Sequence, residues 1–144
     1  MTTRPHPALA LVLLAAACAL QACSKTADGA HAAPVKHATV IPEGDGINRI
    51  TLSELATQRL RFEYAEAKKS GDRMSLPYNT LLYDPKGQEW VYIGLTPTSF
   101  KRAALKVAAI DGDTVYYTEG PAEGSKVVTW GAVELSGIEY GIGK

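Results

Sequence analysis

Ala109-Ile110-Asp111-Gly112-Asp113-Thr114-Val115-Tyr116-Tyr117 carries the strongest hairpin signal in the chain. Asp-Gly places residues that tolerate positive φ at the turn, and the β-branched and aromatic residues after it favour a pleated, half-buried strand. Upstream, Phe100–Ile110 reads as one long strand in which Leu105, Val107 and Ala109 face one way. Downstream, Gly120-Pro121-Ala122-Glu123-Gly124 reads as a loop and Lys126–Trp130 as a further strand. Gly131–Leu135 has the pattern of one helical turn, and Gly137, Gly141 and Gly143 then point to a fraying tail.

Further from the hairpin the pattern stays mostly β. Leu76–Tyr83 reads as a strand closed by Asp84-Pro85-Lys86-Gly87, with proline second and glycine fourth as a type I turn requires. Trp90-Val91-Tyr92-Ile93 is a short apolar run expected to bury both faces. Arg61–Ala67 alternates, with Phe62 and Tyr64 as apolar partners, and Ile47–Ile50 has the look of a short strand. Between them, Thr51-Leu52-Ser53-Glu54 fits a capping box with Thr51 as N-cap. Leu52, Leu55, Ala56 and Leu60 share one helical face, which predicts a helix ending near Arg59 or Leu60. Short strands with turns every 8 to 12 residues predict a mainly β fold, a small antiparallel β-barrel or roll with one short α-helix. About 98 residues from Ile47 onward are enough to bury one modest core.

The N-terminal part is organised differently. Ala8–Leu20 is uncharged and almost wholly apolar, follows a leader whose only formal charge is Arg4, and is too short for the roughly 20 residues of a membrane-spanning helix. This is the layout of a secretory signal peptide. Leu20-Gln21-Ala22-Cys23-Ser24 resembles the lipobox of bacterial lipoproteins. That resemblance implies cleavage after residue 22 and acyl chains on Cys23 that anchor the chain in a membrane. Cys18 would be discarded with the signal peptide, so no internal disulfide is expected. Ser24 resembles the pattern of outer-membrane lipoproteins, which places the anchor on the periplasmic side of the envelope and favours the outer over the inner membrane. Residues 23–45 are small and polar without a clear period, and read as a flexible tether with an r.m.s. reach of about 25 Å. The domain is expected over residues 46–144.

The composition argues against most chemistry. The chain has 15 basic and 15 acidic residues. Loss of residues 1–22 removes Arg4 alone, leaving 14 against 15 and no basic face for nucleic acid. His31 and His37 fall in the tether without a third ligand, so no metal site and no cofactor are expected. A calcium loop starting at Asp111 would need a bidentate glutamate at its twelfth position, which is Ala122. No Ser/His/Asp set, paired carboxylates or phosphate loop can be assembled, so no catalytic residue and no enzymatic activity are expected. Of the many aromatics, Trp90, Tyr92 and Tyr117 suit the sheet itself. Tyr116, opposite in parity to Val115 and Tyr117, is the candidate for an exposed partner-binding residue.

The run Leu76-Pro77-Tyr78-Asn79-Thr80-Leu81-Leu82-Tyr83-Asp84-Pro85-Lys86-Gly87-Gln88-Glu89-Trp90-Val91-Tyr92 resembles the C-terminal part of periplasmic adaptor subunits, the membrane fusion proteins of efflux systems. Lys101-Arg102-Ala103-Ala104-Leu105-Lys106-Val107 takes the place of an Arg-containing strand of that family, and the later hairpin, loop and strand follow in family order. Ile50–Leu60 resembles the start of these adaptors, except that Arg61-Phe62 stands where Gly-Ile is usual. The lipoyl-like domain, second barrel and helical hairpin of a full adaptor are replaced by Lys68–Arg73 alone. The resemblance therefore implies the membrane-proximal β-domain by itself, with Arg102 joining Tyr116 as a partner-binding candidate. It implies a non-enzymatic, lipid-anchored periplasmic binding module that docks on, or is accessory to, an efflux transporter or adaptor. A homo-oligomer and a remnant without function stay open. The alternative is an envelope sensor domain that binds a small molecule or metal ion, and the shape of the surface decides between them: a pocket favours a ligand, an aromatic patch a partner.

Overall fold

The computed structural model describes residues 36–142, so Cys23, the apolar leader and His31 lie outside the described residues. In chain order the described elements are β1 (Ala38–Gly44), β2 (Ile47–Leu52), α1 (Glu54–Leu60), β3 (Glu63–Glu66), β4 (Lys68–Ser70), β5 (Arg73–Pro77), a 3-10 turn (Tyr78–Thr80) and β6 (Leu82–Tyr83). They continue with β7 (Glu89–Thr96), β8 (Ser99–Ala104), β9 (Lys106–Asp111), β10 (Thr114–Glu119), β11 (Lys126–Trp130) and α2 (Ala132–Glu139). A seven-stranded antiparallel sheet has the order β1-β2-β8-β7-β11-β3 with β6 paired to β7, and a four-stranded sheet has the order β4-β5-β10-β9. The fold is mainly β as expected, but the described residues form two sheets with two helices and not a closed barrel.

Successive residues of a strand point to opposite faces, and the core follows that rule. Val91 and Val127 join Leu76, Leu105, Val115 and Tyr117 in one buried cluster that fills the space between the sheets. Their neighbours Tyr92 and Val128 join Ile50, Phe100, Ala132 and Leu135 in a second cluster beneath the helices. The central strands β7 and β11 are thus buried on both faces, which is why Trp90–Ile93 shows no polar alternation. Each fully buried Val, Leu or Phe contributes roughly 1.5–3 kcal/mol of transfer free energy.

Several expected boundaries move. β1 occupies residues assigned to the tether: it pairs with β2 from Ala38↔Leu52 to Gly44↔Ile47, so the domain begins some eight residues earlier than expected. Ala38 and Val40 pack against the second cluster, while Glu43 receives Arg49 and Lys101 from β2 and β8, with Lys101 Nζ at 3.0 Å. Pro42 is tolerated because β1 is an edge strand. Thr51 is not the N-cap; it stays in β2 opposite Thr39 and Ser99, and Ser53 caps α1 by accepting from the Ala56 amide at 3.2 Å.

Leu76–Tyr83 is not one strand, since Pro77 ends β5 and a 3-10 turn separates it from β6. The long strand Phe100–Ile110 breaks at Leu105, whose amide donates to the Glu89 carbonyl. Its two halves, β8 and β9, belong to different sheets. From the break into β9 the expected inward set of Leu105, Val107 and Ala109 holds, with all three less exposed than the residues between them. The Asp111–Thr114 hairpin forms as read, with Gly112 at φ +53.

The C-terminal segment is no fraying tail up to Ile142. α2 runs two turns, and Gly141 at φ +70 closes it. Gly141 N–H donates to the Ile138 carbonyl and Ile142 N–H to the Gly137 carbonyl, the paired bonds of a Schellman motif.

Candidate functional site

Tyr116 sits on β10, half-buried, on the face opposite the buried Val115 and Tyr117. Arg102 sits on β8, in the other sheet, so the two partner-binding candidates are not brought together. Nor is Arg102 free. Its side chain is 13% exposed and its Nε lies 3.0 Å from Glu139 Oε1, whose side chain is 1% exposed. Nη1 donates to the Tyr140 hydroxyl at 2.8 Å, Nη2 donates to the Gly46 carbonyl, and the guanidinium stacks 4.3 Å from the Trp90 ring centroid. Glu139 also accepts from Asn48 Nδ2 at 3.0 Å and from the Tyr92 hydroxyl at 2.5 Å. Burial first, and the bond to Glu139 second, push the Tyr92 phenol far above its ordinary value of 10. The depression beside this network has about 10 Å³, no more than a single water requires. Arg102 therefore latches α2 to the sheet.

Two other places are open. The first surrounds Trp130. Parity places Trp130 on the same face as the buried Val128, yet the register slips between them so that Val128 faces Tyr64 and Trp130 faces Glu63. This bulge turns the indole outward, leaving Trp130 62% and Val133 69% exposed at the junction of β11 and α2. With Asn79 and Leu82 they line a shallow groove of about 320 Å³. Trp130 was visible in the sequence only as one of many strand aromatics; the bulge that exposes it left no local mark except Gly131 beside it. That glycine has φ +93, and a β-carbon there would run into the Phe62 ring.

The second place is an open groove of about 510 Å³ between the end of α1 and the turn joining β7 to β8. Phe62, Tyr64 and Leu95 supply its apolar surface, and Arg61 and Lys126 its charge. The Tyr64 ring lies against Gly94, where a β-carbon would come within 2.9 Å of Cε1. Burial pushes the Tyr64 phenol up from its ordinary value. The sequence hint at this groove was the departure at Arg61, the cation standing where glycine is usual.

Among the described residues no three His, Cys, Asp or Glu side chains converge to hold a metal, and no helix is long and apolar enough to cross a membrane. Comparison with protein-family models, curated proteins and solved structures finds no match to the chain. The functional reading therefore rests on these surfaces and on the sequence motifs.

Proposed function

We propose that this protein is a non-enzymatic docking module of the bacterial envelope, held by acyl chains on Cys23 and engaging an efflux transporter or its adaptor. The observation that carries the docking part is the Trp130 face. A tryptophan more than half exposed beside an equally exposed valine is the kind of apolar surface that marks interaction sites. Tryptophan is also prominent among residues that dominate binding energy at interfaces. The groove flanking the indole gives an incoming side chain a seat beside it. Support for the envelope setting comes from the Leu20–Cys23 motif, and for the class of partner from the adaptor-like runs Leu76–Tyr92 and Lys101–Val107.

The test is in-cell crosslinking and affinity purification of the tagged protein from gently solubilised membranes, followed by mass spectrometry. Wild type is expected to bring down an inner-membrane transporter or a full-length adaptor. Trp130→Ala, which removes a largely solvent-exposed side chain, is expected to lose about tenfold of that recovery while folding normally. Recovery of no transport component, or equal recovery with Trp130→Ala, would sink the reading.

A further inference from the structure

The groove beside α1 is independent of the Trp130 face, and its charge is one-sided. Arg61 and Lys126 line it, and no Asp or Glu does. Among the described residues neither cation takes part in an ion pair, although five others are formed. Glu66 stands opposite Lys126 in the strand register and shares its sheet face, but it lines a separate depression and makes no ion pair with Lys126. The last turn of α1 also ends here, and its carbonyls carry partial negative charge. An anion in this groove would thus be read by the two side-chain cations and not by backbone amides.

The groove floor is aromatic and built to be so. Phe62 packs at 4.5 Å between ring centroids on Phe100 and lies over Gly131, while Tyr64 lies over Gly94. Both rings can settle against the sheet only because those two positions lack a β-carbon. Leu95, 45% exposed, extends the apolar surface on the β7 side. A volume of about 510 Å³ falls within the range of small-molecule sites, roughly 300–1,000 Å³, and is large for a bare inorganic ion.

We propose that this groove binds a small amphiphilic organic anion, with a flat apolar body on Phe62, Tyr64 and Leu95 and a carboxylate or sulfonate held by Arg61 and Lys126. Apolar burial and charge then act at opposite ends of one ligand. An uncharged isostere keeps the first term and loses the second, and an inorganic anion does the reverse. A guanidinium can receive a carboxylate in a bidentate pair, whereas the lysine acts as a point charge. Arg61 is therefore the stronger determinant.

The probe is 2-naphthoate, titrated by calorimetry into the full chain in zwitterionic nanodiscs, with empty nanodiscs subtracted and 2-naphthamide as the uncharged comparator. Saturable binding is expected, tighter for the acid than for the amide by about tenfold, the size of one well-placed charge contact. Arg61→Gly should weaken 2-naphthoate by about tenfold and Lys126→Gln by a smaller factor, and Lys69→Gln, a charge lost outside the groove, should not weaken it. Arg61→Gly is the decisive variant because it relieves the backbone at that position, so weaker binding cannot be ascribed to a damaged fold. Equal affinity for acid and amide, unchanged affinity in both groove variants, or no saturable binding of 2-naphthoate up to millimolar concentration would each overturn the proposal.

Discussion

At the residue scale, Arg61 departs from the ordinary in its backbone and Tyr92 in its titration. Arg61 ends α1 in the left-handed region, φ 50 and ψ 62, with its amide on the Thr57 carbonyl. Glycine is the usual occupant of such a cap, and a residue with a β-carbon pays about 1–2 kcal/mol there. Part of that is returned by the smaller entropy of the unfolded chain, so Arg61→Gly is expected to stabilise the domain by about 0.5–1 kcal/mol, read as a higher urea midpoint with an unchanged m-value. Tyr92 has the opposite character, a phenol whose folded-state pKa is raised by burial and by Glu139. Its contribution is intact below the unfolded value near 10 and falls as pH rises beyond it, because the unfolded chain sheds a proton that the fold retains. The loss should approach about 1.4 kcal/mol per pH unit above 10. Urea unfolding of wild type and Tyr92→Phe between pH 9 and 11 isolates the effect, since other tyrosines titrate alike in both proteins. The difference in stability between the two is expected to shrink by that amount per unit; a constant difference would show that Tyr92 is not held neutral.

At the element scale, α2 shows how a short, glycine-containing segment becomes structure. It has a glycine N-cap, Gly131, and another glycine, Gly137, inside it, so local propensity argues against a stable helix. What holds it is tertiary: Ala132 and Leu135 are buried on the sheet, and Glu139 is clasped by Tyr92, Asn48 and Arg102. A β-carbon at Gly137 would meet nothing within 4 Å. Gly137→Ala is therefore expected to stabilise the protein by about 0.5–1 kcal/mol in thermal unfolding, the ordinary penalty of glycine inside a helix. A destabilised variant would mean that Gly137 does more for the Schellman bond to Ile142 than supply a carbonyl. β1 makes the same point for strands. Ala38 and Val40 face the core, but with only two inward positions and Pro42 ending the alternation, the periodic signal is too short to separate from a polar linker.

At the scale of the whole molecule, the adaptor-like docking reading and the groove are separable by their determinants. Trp130→Ala is expected to reduce recovery of a transport partner about tenfold and to leave the thermal midpoint within about 0.5 kcal/mol equivalent of wild type, as for other exposed substitutions. Circular dichroism melting alongside the crosslinking experiment checks this; a large drop in midpoint would make Trp130 a core residue and remove the motive for docking. The sequence by itself determined the mainly β character, the Asp111–Thr114 and Asp84–Gly87 turns, the two-sided burial of Val91 and Tyr92, and the inward row of Leu105 and Val107. These are local properties, set by the period-2 pleat and by which residues tolerate positive φ. Only the tertiary structure decided the rest. The break at Leu105 exists because its two flanks find partners in different sheets, and the exposure of Trp130 comes from a bulge created by pairing with β3. The consumption of Arg102 depends on Glu139, 37 residues further along the chain, arriving on a helix that the sheet itself must stabilise. Each of those outcomes is a competition between distant partners for the same backbone or charge, and such a competition has no signature in the order of neighbouring residues.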